Sequence, residues 1–334
     1  MSKVAGSPIQ GLIKVVDYWR YWWGSVALLN VALGIFNLSL PTYQTALQVL
    51  TYFAILLVTS TALLRYRRAA GAFLPLALAL TFGFALPLFS QSIADAPGLI
   101  VGLLLVWGYM VVGLDRAEPG LQIAYVFFAG GVGMYFDLLN GDLFAVMICF
   151  GLIRLLSGIA SGLPQMRWAG PFKRYANTMA VFCTLAAYVT GAISMAFFRI
   201  LLHGALTGQG FVSALSEWHG ELAKHESSHW SESDFPAHET FMETLRHCYY
   251  NLDVATFPYL GRHATLTAYA LCWVGYLASL GWLLARRRHL ASESRDQIFG
   301  VLLIASVVPI WYSLFFVHTA LNFWMMGRLL SLFS

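Results

Sequence analysis

Long apolar runs, broken by short polar punctuation, make up most of this chain. They fall at about 43–64, 71–90, 98–114, 121–136, 143–161, 176–202, 263–285, 298–317 and 318–333, after an earlier aromatic and aliphatic stretch at 21–38. A hydrocarbon core about 30 Å thick takes roughly 20 residues of helix but only about 10 of barrel strand, so runs of this length read as helices. Helices also bond all of their own backbone groups inside lipid, where no water can do so. The pattern predicts an all-α, polytopic helical membrane protein with nine or ten membrane segments.

The punctuation sets the orientation. Basic clusters stand at Arg65, Arg67 and Arg68, at Arg167, Lys173 and Arg174, and at Arg286, Arg287 and Arg288. Counting spans between them puts all three on one side, which the positive-inside rule makes cytoplasmic. The opposite side then receives 91–97, the turn around 136–143 and the segment 203–262. That segment holds eight of the 16 acidic residues, six of the nine histidines and only three basic residues. Its stretches 213–226 and 238–252 have helix-compatible spacing, so it reads as a small extracytoplasmic helical cap. The chain divides into N-terminal membrane helices (1–202), an acidic His-rich cap (203–262) and C-terminal membrane helices (263–334).

Composition excludes the soluble classes. Of 334 residues, 59% are hydrophobic and 11% charged, where a soluble domain carries about 25% charged. Mean hydropathy is +0.67. The net charge of +4 reflects orientation and gives no reason to expect nucleic acid as a partner. Cys149, Cys183, Cys248 and Cys272 are scattered without a CxxC pair, so no disulfide framework or cysteine metal site is indicated. The opening MSKVAGSPIQGLIKVVDYWR lacks the apolar core and cleavage site of a signal peptide. Insertion is therefore expected through an uncleaved helix.

Four constellations carry candidate chemistry. HESSH places His225 and His229 four apart, the spacing at which two helical histidines bind zinc while an intervening Glu activates water. A divalent metal is the cofactor this motif would take. Its polar flanks (Lys224, Ser231, Glu232) suit a solvated loop better than a buried zinc helix. GMYFDLLNGDLF, 133–144, sets Asp137 and Asp142 between two apolar helices, with Asn140-Gly141 as a turn signal. A carboxylate there is either a turn or cap residue, or a base or ligand contact. VHTALNFWMMGR, 317–328, places His318 and Asn322 on one helix face and Arg328 beyond them. Arg328 serves either as an interfacial anchor or as a phosphate contact. DYWRYWWG, 17–24, surrounds Arg20 with Tyr21, Trp22 and Trp23, either an interfacial aromatic belt or a shelf for sugar and phosphate.

Three of these constellations, in this order, resemble a family of bacterial polytopic membrane proteins similar to the C-type glycosyltransferase superfamily, which uses lipid-phosphate-linked sugars outside the cytoplasm. The family's R-Y-W-H-G-Y segment corresponds to Arg20-Tyr21-Trp22-Trp23-Gly24, and its F-D-F-L-T hairpin to Phe136-Asp137-Leu138-Leu139-Asn140. Its C-terminal N-H-S-x-x-H-x-x-F-x-Y-R is matched by His318, Asn322 and Arg328. Trp23 and Asn322 replace family histidines, and the family's longer N-terminal part, with its acidic outer loop, has no counterpart here. The resemblance implies an inner-membrane protein handling a polyprenyl-phosphate-linked glycan on the outer face. Asp137 and His318 are its catalytic candidates. On that resemblance Arg20, Tyr21, Trp22, Asn140, Asn322 and Arg328 would bind substrate. It also implies that 21–38 lies along the outer interface, bringing Arg20 to the side of Asp137, whereas hydropathy alone permits a span. Arg328 reaches that level only if the chain bends between His318 and Arg328.

The partners expected on this reading are membrane lipids, a lipid-linked sugar and other membrane subunits. The competing reading is a non-catalytic structural or assembly subunit of a membrane complex, docking through the acidic cap. A transporter lacks support, since no Gly/Pro-broken helices recur in matching halves. A metalloprotease rests on HESSH alone.

Overall fold

A computed structural model of the chain describes residues 23–67, 96–136, 141–161, 174–208 and 210–216, scattered helical positions between 274 and 286, and residues 291–307. Among the described residues seven helices carry the architecture: α1 (Trp23–Asn30, continued by a π-helical turn Val31–Ile35), α2 (Leu40–Tyr66), α3 (Ala96–Val111), α4 (Pro119–Phe136), α5 (Gly141–Ser161), α6 (Ala176–Thr207) and α7 (Ser292–Ala305). No strand occurs among the described residues.

Local sequence explains the ends of these helices. Ser39 caps α2, its Oγ accepting from the Thr42 N–H at 3.3 Å, with Pro41 in the first turn. Pro begins a helix well because its missing N–H would have had no partner there. α3 stops at Val111, three residues short of the apolar run, because Gly113 turns the chain at φ +81°. α6 runs five residues past the apolar run at 176–202, to Thr207, and ends on Gly208 at φ +70°. The first residues assigned to the polar cap therefore belong to a membrane helix.

Three described helices are long and apolar enough to cross a membrane: Leu40–Tyr66, Leu143–Ala160 and Ala176–Thr207. Those three are counted among the described residues alone, against the nine or ten segments expected of the whole chain. The described part of the next apolar run, Ala96–Val111, is a 16-residue helix ended by the glycine turn. The runs 71–90 and 318–333, and much of 263–285 and 298–317, lie outside the described residues.

α5 is the central helix. In its spanning window 83% is buried, against 33% for α2 and 39% for α6. Phe150, Ile153, Ala145 and Cys149 of α5 pack against Leu103, Val106, Val181 and Tyr188 from neighbouring helices. The outer faces of α2 and α6 instead expose Val49, Phe53, Leu56, Phe182, Ile193 and Phe197. Apolar faces of that extent suit lipid and not water.

Among the described residues α4 and α6 come close enough for backbone to meet backbone. A Cβ on Gly130 would fall on the Tyr188 carbonyl, and one on Gly191 on the Phe127 carbonyl. Small residues let two backbones meet where lipid removes the hydrophobic drive for association.

The helix ends sort the bundle into two ends. At one, Asp115 in the α3–α4 turn receives Arg65 from the end of α2, and its carbonyl receives Ser157 from the end of α5. There too, Asp296 of α7 caps α6, accepting from the Asn177 and Thr178 N–H groups, both at 2.9 Å. Arg65 and Arg174, from two of the basic clusters, thus share one end of the bundle. The first turn of α7, which follows the third cluster, lies there as well.

Candidate functional site

The end of the bundle opposite the basic clusters is where α1 meets α4. α1 starts against the last residue of α4: Gly24 lies so close to the Phe136 ring that a side chain there would strike it. Ser25 Oγ donates to the Phe136 carbonyl at 3.3 Å. At its other end, Ala32 packs with Tyr43 and Leu47 at the start of α2 and with Ala96 and Ile100 at the start of α3. Both ends of α1 therefore lie at the same end of the bundle. Its 13 described residues, about 20 Å long, therefore run across the helix ends. The π turn and the reversal at Asn37, φ +50°, hand the chain directly to Ser39 and α2.

α6 supplies a third element here. Arg199, 3% exposed, donates from Nη1 to the Met134 carbonyl at 3.3 Å. The last four carbonyls of a helix have no partner within it. Two of those of α4 are thus bonded from outside, one by Arg199 and one by Ser25. A guanidinium also complements the negative end of the helix dipole.

Two of the sequence candidates adjoin this junction in the chain, and none enters the described residues. Trp22 immediately precedes α1, and Asp137 immediately follows Phe136. Arg20, Tyr21, Trp22, Asp137, Asn140, His318, Asn322 and Arg328 all lie outside the described residues, as do His225 and His229. The structure brings together the residues next to the first motif and next to the hairpin: Gly24 and Ser25 on one side, Phe136 on the other. Among the described residues no cluster of three metal-ligating side chains occurs.

Compared with protein families, curated proteins and solved structures, the chain matches none.

A second polar constellation, absent from the sequence reading, occupies the basic end. Asp115 is fully buried in the α3–α4 turn. Arg65 binds it in a fork, Nε to Oδ2 at 3.0 Å and Nη2 to Oδ1 at 2.6 Å, and the Tyr66 hydroxyl donates to Oδ2 at 2.8 Å. Ser157 and Gln122 donate to its backbone carbonyl at 2.9 and 3.4 Å. Arg154 of α5, 3% exposed, lies within electrostatic reach of Asp115, Tyr66 and Tyr109. The constellation joins α2, α4, α5 and the intervening turn through charge and hydrogen bonds. Chemically it is a buried structural joint, each oxygen of the Asp115 carboxylate already receiving a donor.

A signal for the missed residues was present. Arg154 and Arg199 are ionised side chains inside apolar runs, where such groups are costly and face a partner in the interior. The partner could not be read, because Asp115 is 50 residues from Arg65 and Met134 is 65 from Arg199.

Proposed function

We propose that the chain is an integral protein of a bacterial inner membrane that handles a lipid-phosphate-linked glycan at the end of the bundle opposite its basic clusters. That end faces outward, and 203–262 lies outside the cytoplasm with it. The observation that supports the reading is the seating of Gly24 and Ser25 on Phe136. A shared site needs the Arg20 segment and the Asp137 hairpin at the same bundle end, and an α1 crossing the bilayer would separate them.

In the transferase form of this reading, Asp137 orients or deprotonates an acceptor hydroxyl. Arg20, His318 and Arg328 neutralise the departing lipid phosphate, the usual role of cations placed where charge develops. The aromatic side chains at 21 and 22 stack on the sugar.

The test uses the full chain in lipid nanodiscs containing a polyprenyl-phosphate-linked sugar. Retention of that lipid, measured by native mass spectrometry and weakened in Arg20→Gln, supports the reading. Release of polyprenyl phosphate in the presence of an acceptor, lost in Asp137→Asn, supports the enzymatic form. Absence of both would move the assignment to a non-catalytic subunit of a membrane complex.

A further inference from the structure

The basic end of the bundle carries an edge that the buried joint leaves unused. Arg65 is committed to Asp115, whose oxygens also receive the Tyr66 hydroxyl. Two further arginines flank that pair, Arg67 at the end of α2 and Arg116 in the α3–α4 turn. Both are exposed. The Arg116 side chain is 53% exposed, and its Nε stands 3.8 Å from Asp115, beyond hydrogen-bonding distance. Neither guanidinium makes a hydrogen bond among the described residues.

Just inside these arginines, toward the bilayer, lies apolar surface. At the ends of α2 and α3, Leu63, Leu64 (79%), Val111 and Val112 (75%) are exposed. The two helix ends meet at Gly113, where an added Cβ would lie 3.7 Å from the Arg65 guanidinium. Counted from Leu40 at the far end, Arg67 stands about 40 Å along α2. A hydrocarbon core is about 30 Å thick, so the arginines reach headgroup level and the four aliphatic side chains the adjoining acyl chains.

Ending α2 does not itself call for an arginine. Arg67 takes φ +37°, a backbone conformation that glycine adopts at less cost. Arg174, exposed at the same end before α6, lacks the apolar half of the arrangement. None of residues 176–179 below it is exposed, and Asn177 and Thr178 bond Asp296.

We propose that Arg67 and Arg116 hold the headgroup phosphate of an anionic phospholipid of the cytoplasmic leaflet, its acyl chains lying against Leu64 and Val112. A guanidinium fork matches phosphate, and the negative surface of that leaflet attracts basic residues beside membrane helices. The aliphatic surface beneath the arginines selects a lipid over free phosphate. Glu118, exposed two residues beyond Arg116, opposes the anion. This site is at the other end of the bundle from the glycan reading, so either can fail without the other.

Full-length protein is placed in nanodiscs of phosphatidylcholine and phosphatidylglycerol, and retained lipid is measured by native mass spectrometry. The wild type is expected to retain phosphatidylglycerol in preference, and to keep it in excess inorganic phosphate. Arg67→Gln and Arg116→Gln each lose about tenfold in that retention, the scale of one charge-assisted hydrogen bond. Glu118→Gln retains more, and Arg174→Gln stays near the wild type. Arg67→Gly should raise the thermal midpoint while losing the lipid, whereas a merely structural arginine would leave retention unchanged. Arg67→Lys and Arg116→Lys keep the charge without the fork and recover part of the loss. They carry the comparison should a glutamine variant fail to accumulate. Equal losses in Arg67→Gln, Arg116→Gln and Arg174→Gln would reduce the site to diffuse surface charge and overturn it. Displacement by inorganic phosphate would overturn the lipid as occupant. Variants that fold and retain phosphatidylglycerol as the wild type does overturn the site itself.

Discussion

Arg65 and Asp115 form a two-pronged ion pair at 2.6 and 3.0 Å, joining the end of α2 to the turn between α3 and α4. Asp115 has no exposure to solvent, while the Arg65 side chain is 23% exposed. The carboxylate depends on this pair and on Tyr66 for the solvation that water would otherwise give. Removing one partner of a buried pair leaves the other charge uncompensated, which costs about 3–5 kcal/mol.

Asp115→Ala should therefore lower the thermal midpoint of the purified protein sharply, or abolish its accumulation. Replacing the pair and its hydroxyl together (Arg65→Met, Tyr66→Phe, Asp115→Leu) should be milder than the single change, because neither charge of the pair is left without the other. A triple variant less stable than Asp115→Ala would show that the pair contributes more than mutual neutralisation.

The contact between α4 and α6 gives a steric prediction. Gly191→Ala sets a methyl group against the Phe127 carbonyl, a backbone atom that cannot swing aside. Overpacking of this kind costs about 1–3 kcal/mol. Gly120→Ala, with nothing within 4 Å of the added carbon, is the control and should leave the midpoint nearly unchanged. Equal melting of the two variants would mean that the helices separate at little cost.

Asp296 makes a comparable claim at the basic end. Its two carboxylate oxygens accept from the Asn177 and Thr178 N–H groups, and Thr178 Oγ1 also donates to Oδ1 at 2.7 Å. A lost helix cap costs about 0.5–2 kcal/mol, so Asp296→Ala should destabilise by at least that much. Asp296→Asn keeps one acceptor oxygen and should fall between the variant and the wild type. Thermal unfolding in nanodiscs reads both, and an unchanged midpoint in Asp296→Ala would remove the cap from the account of how α7 is held.

What the sequence made legible was the part governed by local hydropathy. The runs at 121–136, 143–161 and 176–202 became α4, α5 and α6, and Arg65 and Arg174 came to one end, because helix length and flanking charge are local properties. The boundaries moved where single residues decide them, at Gly113 and Gly208. The joint at Asp115 was not legible. In LDRAEPG an aspartate beside an arginine looks like a solvated turn, and its burial comes from Arg65 and Ser157, which are distant in the chain. For the candidate site, the sequence placed the Arg20 segment beside the hairpin only through a family resemblance, whereas Gly24, Ser25 and Phe136 supply a contact next to both. The site candidates themselves all lie outside the described residues.

The last prediction concerns how α1 lies relative to the membrane. Its first turn rests on Phe136 and its last on the starts of α2 and α3, so both ends should face the same side. Ala27 and Ile35 are exposed on it, Ile35 at 72%. Glu118, exposed in the turn before α4, marks the basic end. In a chain whose native cysteines are replaced by serine, Ala27→Cys and Ile35→Cys should both react with a membrane-impermeant maleimide applied to intact cells. Glu118→Cys should react only after the membrane is opened. Apolar surroundings slow such labelling, so the comparison is one of sidedness and not of rate. Labelling of Ala27→Cys and Ile35→Cys from opposite sides would make α1 a spanning helix. The Arg20 segment would then no longer share a side with the hairpin, and the outward-facing site would lose the contact on which it rests.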